Sequence, residues 1–117
     1  MAAVDISTKG MHRYMNHRDL VVMFHAPWCG HCQQMKPAFA EAAEALKMSH
    51  PHVSLVRYNA DKHRQDLAGL PEDFGKNIAD IVEGYPTIVF FKAGGKASVY
   101  KGARDAPSLQ SAVERYF

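Results

Sequence analysis

Asp19-Leu20-Val21-Val22-Met23-Phe24-His25-Ala26 runs directly into Pro27-Trp28-Cys29-Gly30-His31-Cys32, and the reading of the whole chain turns on this stretch. The continuous apolar run from Leu20 to Phe24 is the pattern of a strand buried on both faces. Beyond it, Cys29 to about Met48 is rich in Ala, Glu, Gln and Lys and reads as a long helix. Pro37 falls inside that helix and is expected to kink it, because proline lacks the backbone donor and crowds the preceding turn. The junction holds the only two cysteines of the chain, Cys29 and Cys32. At this spacing they are arranged to make and break a disulfide with each other. So small a ring removes little loop entropy from the unfolded chain, so chemistry explains the pair better than crosslinking does.

Outward from this junction, Ala3 to Ile6 reads as a short edge strand. Ser7 caps a helix from Thr8 to about Asn16, with Met11, Tyr14 and Met15 at helical spacing. Val53 to Asn59 is the next strand, with Val53, Leu55 and Tyr58 as its apolar positions. Lys62 to Leu70 reads as helical, and Pro71 to Val82 adds an amphipathic helix with Phe74, Ile78 and Ile81 on one face. Thr87 to Lys92 is a strand, and Gly94-Gly95 turns it into a partner from Ala97 to Lys101. A last helix starts near Pro107, entered through Asp105 or Ala106, with Leu109, Val113 and Tyr116 on its buried face. The order β-α-β-α-β-α-β-β-α makes this an α/β protein: early crossovers imply parallel central strands, and the late hairpin an antiparallel edge.

A chain of 117 residues is expected to form one domain. Its 47% hydrophobic and 22% charged residues suit a globular protein and argue against disorder. A formal charge of +2 without a basic run gives no reason to expect nucleic acid, and no apolar stretch approaches the ~18 residues of a membrane span. Met1 to Lys9 lacks the apolar core of a secretory signal, and Glu114-Arg115-Tyr116-Phe117 is not a retention tetrapeptide. The ends therefore say nothing of compartment, and two cysteines in one motif fit a catalytic redox pair in any.

Ala26-Pro27-Trp28-Cys29-Gly30-His31-Cys32, Lys36-Pro37 and the distant Gly84-Tyr85-Pro86-Thr87 together resemble a catalytic domain of protein disulfide isomerase. The element order and the closing Tyr100-Lys101-Gly102 extend the resemblance over nearly the whole chain, and it implies a thioredoxin fold. It further implies Cys29 as nucleophile and Cys32 as the resolving thiol, flanked by Gly30 and His31. The physics is consistent: a cysteine at a helix N-terminus meets unpaired donors and a favourable dipole, and the thiolate is the attacking species. His31 offers a cation beside that thiolate. Stabilising the dithiol raises the potential by ~30 mV per 1.4 kcal/mol, which favours donating and shuffling disulfides over reducing them. By the same resemblance Pro86 is a cis-proline opposite the cysteines, and Trp28, Tyr85 and Pro86 border the substrate surface. Plain packing is the competing reading for Trp28.

Several positions depart from the family pattern. Met23 stands where a buried Glu or Asp usually relays the proton of the resolving cysteine. His25, at a place normally aromatic, is the nearest titratable substitute by sequence, although a histidine satisfied within the core fits equally well. Arg57 replaces a lysine near the end of the third strand. Glu83 reverses the charge of an arginine before Gly84, and an exposed position is expected for it. The stretch between Asn59 and Gly84 exceeds the family's by roughly ten residues, a helical insertion around 71–82.

The leading reading is thus a thiol–disulfide oxidoreductase acting on cysteine-containing polypeptides, with His25, Arg57 and Glu83 as candidate tuning residues. It is expected to be monomeric and to need no cofactor, since the electrons reside in the cysteine pair. A redox partner (glutathione, an oxidase or a reductase) would turn it over, and the resemblance implies the endoplasmic reticulum lumen or secretory pathway. Two alternatives stay open: a thioredoxin-like general reductant, and a redox-weak, chaperone-like module, the latter favoured by Met23 and Glu83. Zinc is not expected, because none of His12, His17, His50, His52 or His63 is placed by sequence to complete a four-coordinate site with the cysteines.

Overall fold

The computed structural model describes residues 3–15, 18–62, 81–93 and 97–117. The helices expected over Lys62 to Leu70 and Pro71 to Val82, apart from Lys62, Ile81 and Val82 themselves, lie outside the described residues, as does the Gly94-Gly95 turn.

The described elements are β1 (Val4–Asp5), α1 (Thr8–Met15), β2 (Asp19–His25), α2 (Gly30–Ser49), β3 (Val53–Asn59), β4 (Thr87–Phe91), β5 (Ala97–Tyr100) and α3 (Ala106–Tyr116). The strands form one sheet in the order β1-β3-β2-β4-β5. β1, β3 and β2 are parallel, β4 pairs antiparallel with β2, and β5 pairs antiparallel with β4. The mixed sheet expected from the sequence is therefore present, with the thioredoxin-type arrangement of strands and helices.

β2 is bonded on both edges, and Leu20 through Phe24 are wholly inaccessible to solvent. Alternation along the strands divides the core into two layers. Leu20, Val22 and Phe24 pack with Val56, Tyr58, Val89, Phe91 and with Met11 of α1. Val21 and Met23 pack on the other side with Leu55, Ile88 and Phe90, against Met35 and Phe39 of α2 and Leu109 and Val113 of α3. Between described strand and helix on the first side, the Thr8 and Tyr58 hydroxyls meet at 2.8 Å.

Local chemistry explains the element ends. Asp105 is the N-cap of α3, its carboxylate accepting from the Ser108 backbone N–H at 2.8 Å and from the Ser108 hydroxyl at 2.9 Å. That interaction draws its carboxyl below the usual carboxylate range. The edge strand expected over Ala3 to Ile6 shortens to two residues, though the Ile6 N–H still reaches the Arg57 carbonyl at 2.8 Å. α2 continues through Pro37 to Ser49. Pro37 and Gln33 are both exposed, so the carbonyl that the proline leaves unpaired lies on the solvent side.

Phe39 is fully buried between α2 and the sheet. Phe39→Ala is expected to lower unfolding free energy by about 3–5 kcal/mol, through lost burial and the cavity left behind. Urea unfolding should show a lower midpoint with an unchanged slope.

Candidate functional site

At its carboxyl end β2 passes into a short loop, and α2 opens with Gly30. Cys29 is the N-cap of α2, in extended conformation, and its Sγ accepts the Cys32 backbone N–H at 3.1 Å. The loop is tied down by Cys29 N–H to Ala26 O at 3.1 Å and by the Gln33 amide to Pro27 O at 3.3 Å. Cys29 and Cys32 are joined as a disulfide, their Cα atoms 5.2 Å apart. Cys32 is 0% exposed and Cys29 6%, so the cysteine at the helix terminus is also the more accessible residue.

Gly30 and His31 are exposed on the first turn of α2. A Cβ built at Gly30 meets nothing within 4 Å, so the approach to the disulfide past this residue is open. Trp28 is 66% exposed; its ring meets Tyr85 edge-on at 5.8 Å, and its indole N–H donates to Asp61 at 3.2 Å. Tyr85 is half-buried and packs against Ala26, Cys29 and Cys32. The Tyr85–Pro86 peptide bond is cis. Tyr85 therefore borders the cysteine pair, with Trp28 against its ring and Pro86 next in the chain, while Glu83 is exposed at the surface beyond the buried Val82. Sequence reading overlooked Asp61, whose only signal was its place just past the end of β3.

Beneath the start of α2 lies a polar group set in an otherwise apolar layer. Met23 is fully buried among Val21, Met35 and Phe39, and brings no titratable atom there. Two residues on, on the same side of β2, His25 is 3% exposed. Its Nε2 lies 3.1 Å from the Asp5 carboxylate. Asp5 stands opposite Arg57 in the β1–β3 register, and Arg57 stands opposite Met23 in the β3–β2 register. Arg57 Nε comes within 3.3 Å of the same Asp5 oxygen. Asp5 was missed because strand register, which brings it to His25, cannot be read from one edge segment.

Burial pushes the His25 imidazole below its ordinary value of 6.5; contact with Asp5 opposes this, and the charges of Lys36 and Arg57 reinforce it. Among the described residues no group of three or more His, Cys, Asp and Glu side chains converges as metal ligands would.

Comparison with known proteins agrees with this geometry. The thioredoxin family profile matches residues 6–115. The protein disulfide-isomerase of Gallus gallus is 39% identical over 101 residues, 85% of this chain and 18% of that protein. That of Oryctolagus cuniculus is 40% identical over 95 residues, 80% of this chain and 17% of its own length. The chain thus spans less than a fifth of these relatives. The solution structure of the first thioredoxin domain of mouse protein disulfide-isomerase A4 superposes with a TM-score of 0.74 at 27% identity, covering 95% of this chain and 72% of that one.

Because the folded state holds His25 below its ordinary value, the unfolded chain binds a proton there more readily. The stabilisation from keeping the ring neutral is complete above pH ~6.5 and is lost as pH falls from there through the lowered folded value. Urea unfolding at pH 7 and pH 5 should show His25→Phe losing less stability over that interval than the parent.

Proposed function

The chain belongs to the thioredoxin family, and from that premise we propose that it is a thiol–disulfide oxidoreductase that forms and rearranges disulfides in polypeptide substrates. The observation that carries this reading is the disulfide between a helix N-cap sulfur and a wholly buried one, Cys29 and Cys32. In the reduced protein the N-terminal donors of α2 favour a Cys29 thiolate, the species that attacks a substrate disulfide. Cys32, one turn in, then displaces the substrate by attacking Cys29. His31 stands on the exposed side of the first turn, and Gly30 leaves the approach clear. Trp28, Tyr85 and Pro86 form the surface against which an extended cysteine-containing chain docks. The names of the relatives support a substrate of this class, and the setting that the resemblance to protein disulfide isomerase implies is the endoplasmic reticulum lumen or secretory pathway. The redox partner is glutathione, an oxidase or a reductase, and the domain acts as a monomer.

Equilibration in graded glutathione buffers tests the direction of electron flow. The Cys29–Cys32 pair is expected to be half-reduced near about −180 mV, the poise of an isomerase; half-reduction near about −270 mV would instead make it a thioredoxin-like reductant. Cys32→Ser is expected to accumulate a mixed disulfide between Cys29 and a disulfide-containing peptide, visible by non-reducing electrophoresis. Cys29→Ser should give none.

A further inference from the structure

We propose that His25, anchored by Asp5, is the proton acceptor for the buried Cys32 thiol in the resolving step. The inference rests on the oxidoreductase reading and adds the base that the reading lacks. A fully buried thiol is a poor nucleophile until its proton leaves, and apolar surroundings hold that proton in place. Met23 cannot take it.

The hydrogen-bond pattern assigns the imidazole's two nitrogens. A carboxylate only accepts, so Nε2 carries the hydrogen and donates to Asp5. Nδ1 is then a bare acceptor, and it is buried with no hydrogen-bond partner. An unpaired buried acceptor is costly, which makes it a group to be explained. Its location supplies the explanation. The next residue, Ala26, packs directly on Cys29 and Cys32. Lys36, whose charge acts on His25, is one helical turn beyond Cys32 on the same face of α2. His25 thus lies on the α2 side of β2, next in the chain to the residue that packs on both cysteines. The charged groups acting on it are Asp5 from β1, in contact, Arg57 from β3, on the same Asp5 oxygen, and Lys36 from α2, through its charge. On the β4 side the pairing ends at Phe24–Thr87, and Tyr85, two residues before Thr87, packs on the cysteines.

The step balances without a further reagent. Starting from the mixed disulfide, the Cys32 thiol gives its proton to Nδ1 and its sulfur attacks Cys29 Sγ. The Cys29–substrate bond breaks, the Cys29–Cys32 bond forms, and the substrate sulfur leaves with the electron pair. The substrate is reduced and the pair oxidised. The imidazolium, stabilised by Asp5, releases its proton on the Asp5 side, where the carboxylate side chain is 57% exposed to water. Run backwards, the same ring protonates the departing Cys32 when the pair donates its disulfide. A neutral imidazole is ready to accept the Cys32 proton, and for the reverse step the ring must first take up a proton from water on the Asp5 side.

Single turnovers of the reduced protein with oxidised glutathione, acid-quenched and resolved by mass, separate capture at Cys29 from resolution by Cys32. In the parent, resolution should rise with pH and level off below the range of a free thiol. His25→Phe is expected to slow resolution at pH 7 about a hundredfold and to move its rise toward the ordinary thiol range near ~8.5. Asp5→Asn, at the exposed rim, carries the test should His25→Phe not fold: losing the carboxylate makes the ring a weaker base, so the acid limb should shift to lower pH and the plateau should drop. A profile that superposes on the parent's in whichever variants fold overturns the proposal while leaving the oxidoreductase reading intact. A parent protein that forms no glutathione adduct overturns both.

Discussion

β2 has apolar side chains on both faces and hydrogen-bonded neighbours on both edges, and most of the architecture follows from meeting those two demands at once. Covering both faces requires α1 on one side and α2 with α3 on the other. Pairing both edges brings a parallel strand to one side and an antiparallel one to the other. Direction then does the rest. β2 and β3 run the same way, so Asn59 ends where His25 ends, and Asp61 just beyond is in reach of the Trp28 indole. β4 runs the opposite way and begins at Thr87 opposite Phe24, which sets Tyr85 and Pro86 before it at that same end of the sheet. Residues spread over sixty positions of sequence meet around one disulfide because the central strand is paired in this mixed fashion.

The same pairing explains why a polar group sits under an apolar helix. Parallel register aligns Asp5 with Arg57 and Arg57 with Met23, and the side-chain alternation puts His25 on their side of the sheet. The Asp5–Arg57 contact lies at the half-exposed sheet edge, where ion pairs contribute at most about 1 kcal/mol. Stability alone gives little reason for it. Its stronger effect is on the histidine: a carboxylate held at the rim fixes which nitrogen is protonated and offsets part of the cost of burying the ring.

Much of this was legible in the chain because it depends on local signals. The continuous apolar run identified β2 as doubly buried, Val53–Asn59 matched its strand exactly as bounded, and Trp-Cys-Gly-His-Cys with Gly-Tyr-Pro-Thr marked the site from both sides. Asp105 also announced itself, although the choice between it and Ala106 needed the Ser108 contact. What escaped were relations carried by register and by chain reversal. Asp5 is an exposed residue in a two-residue strand, unremarkable until β3 sets it beside His25. Asp61 becomes informative only once the end of β3 is beside Trp28. His25 itself read equally well as a satisfied core residue; the orphan Nδ1 distinguishes the two, and a hydrogen-bond vacancy has no signature in sequence.

The two sulfurs, though bonded to each other, occupy opposite electrostatic situations, and helix geometry is the cause. Cys29 caps α2 and accepts an N–H that would otherwise lack a partner, an interaction that strengthens when the sulfur is charged. Cys32, within the first turn, faces inward among Ala26 and Tyr85 with no surface exposed, which penalises charge. An environment that favours an anion at one sulfur and disfavours it at the other is what the proposed order of steps, attack at Cys29 and resolution by Cys32, would require. The cost of that order is a second step needing a base inside the protein. Met23, on the α2 side of β2, has no titratable atom to offer, and the next side chain of the strand on that side is the buried His25, which is why the proposed second step is assigned to it.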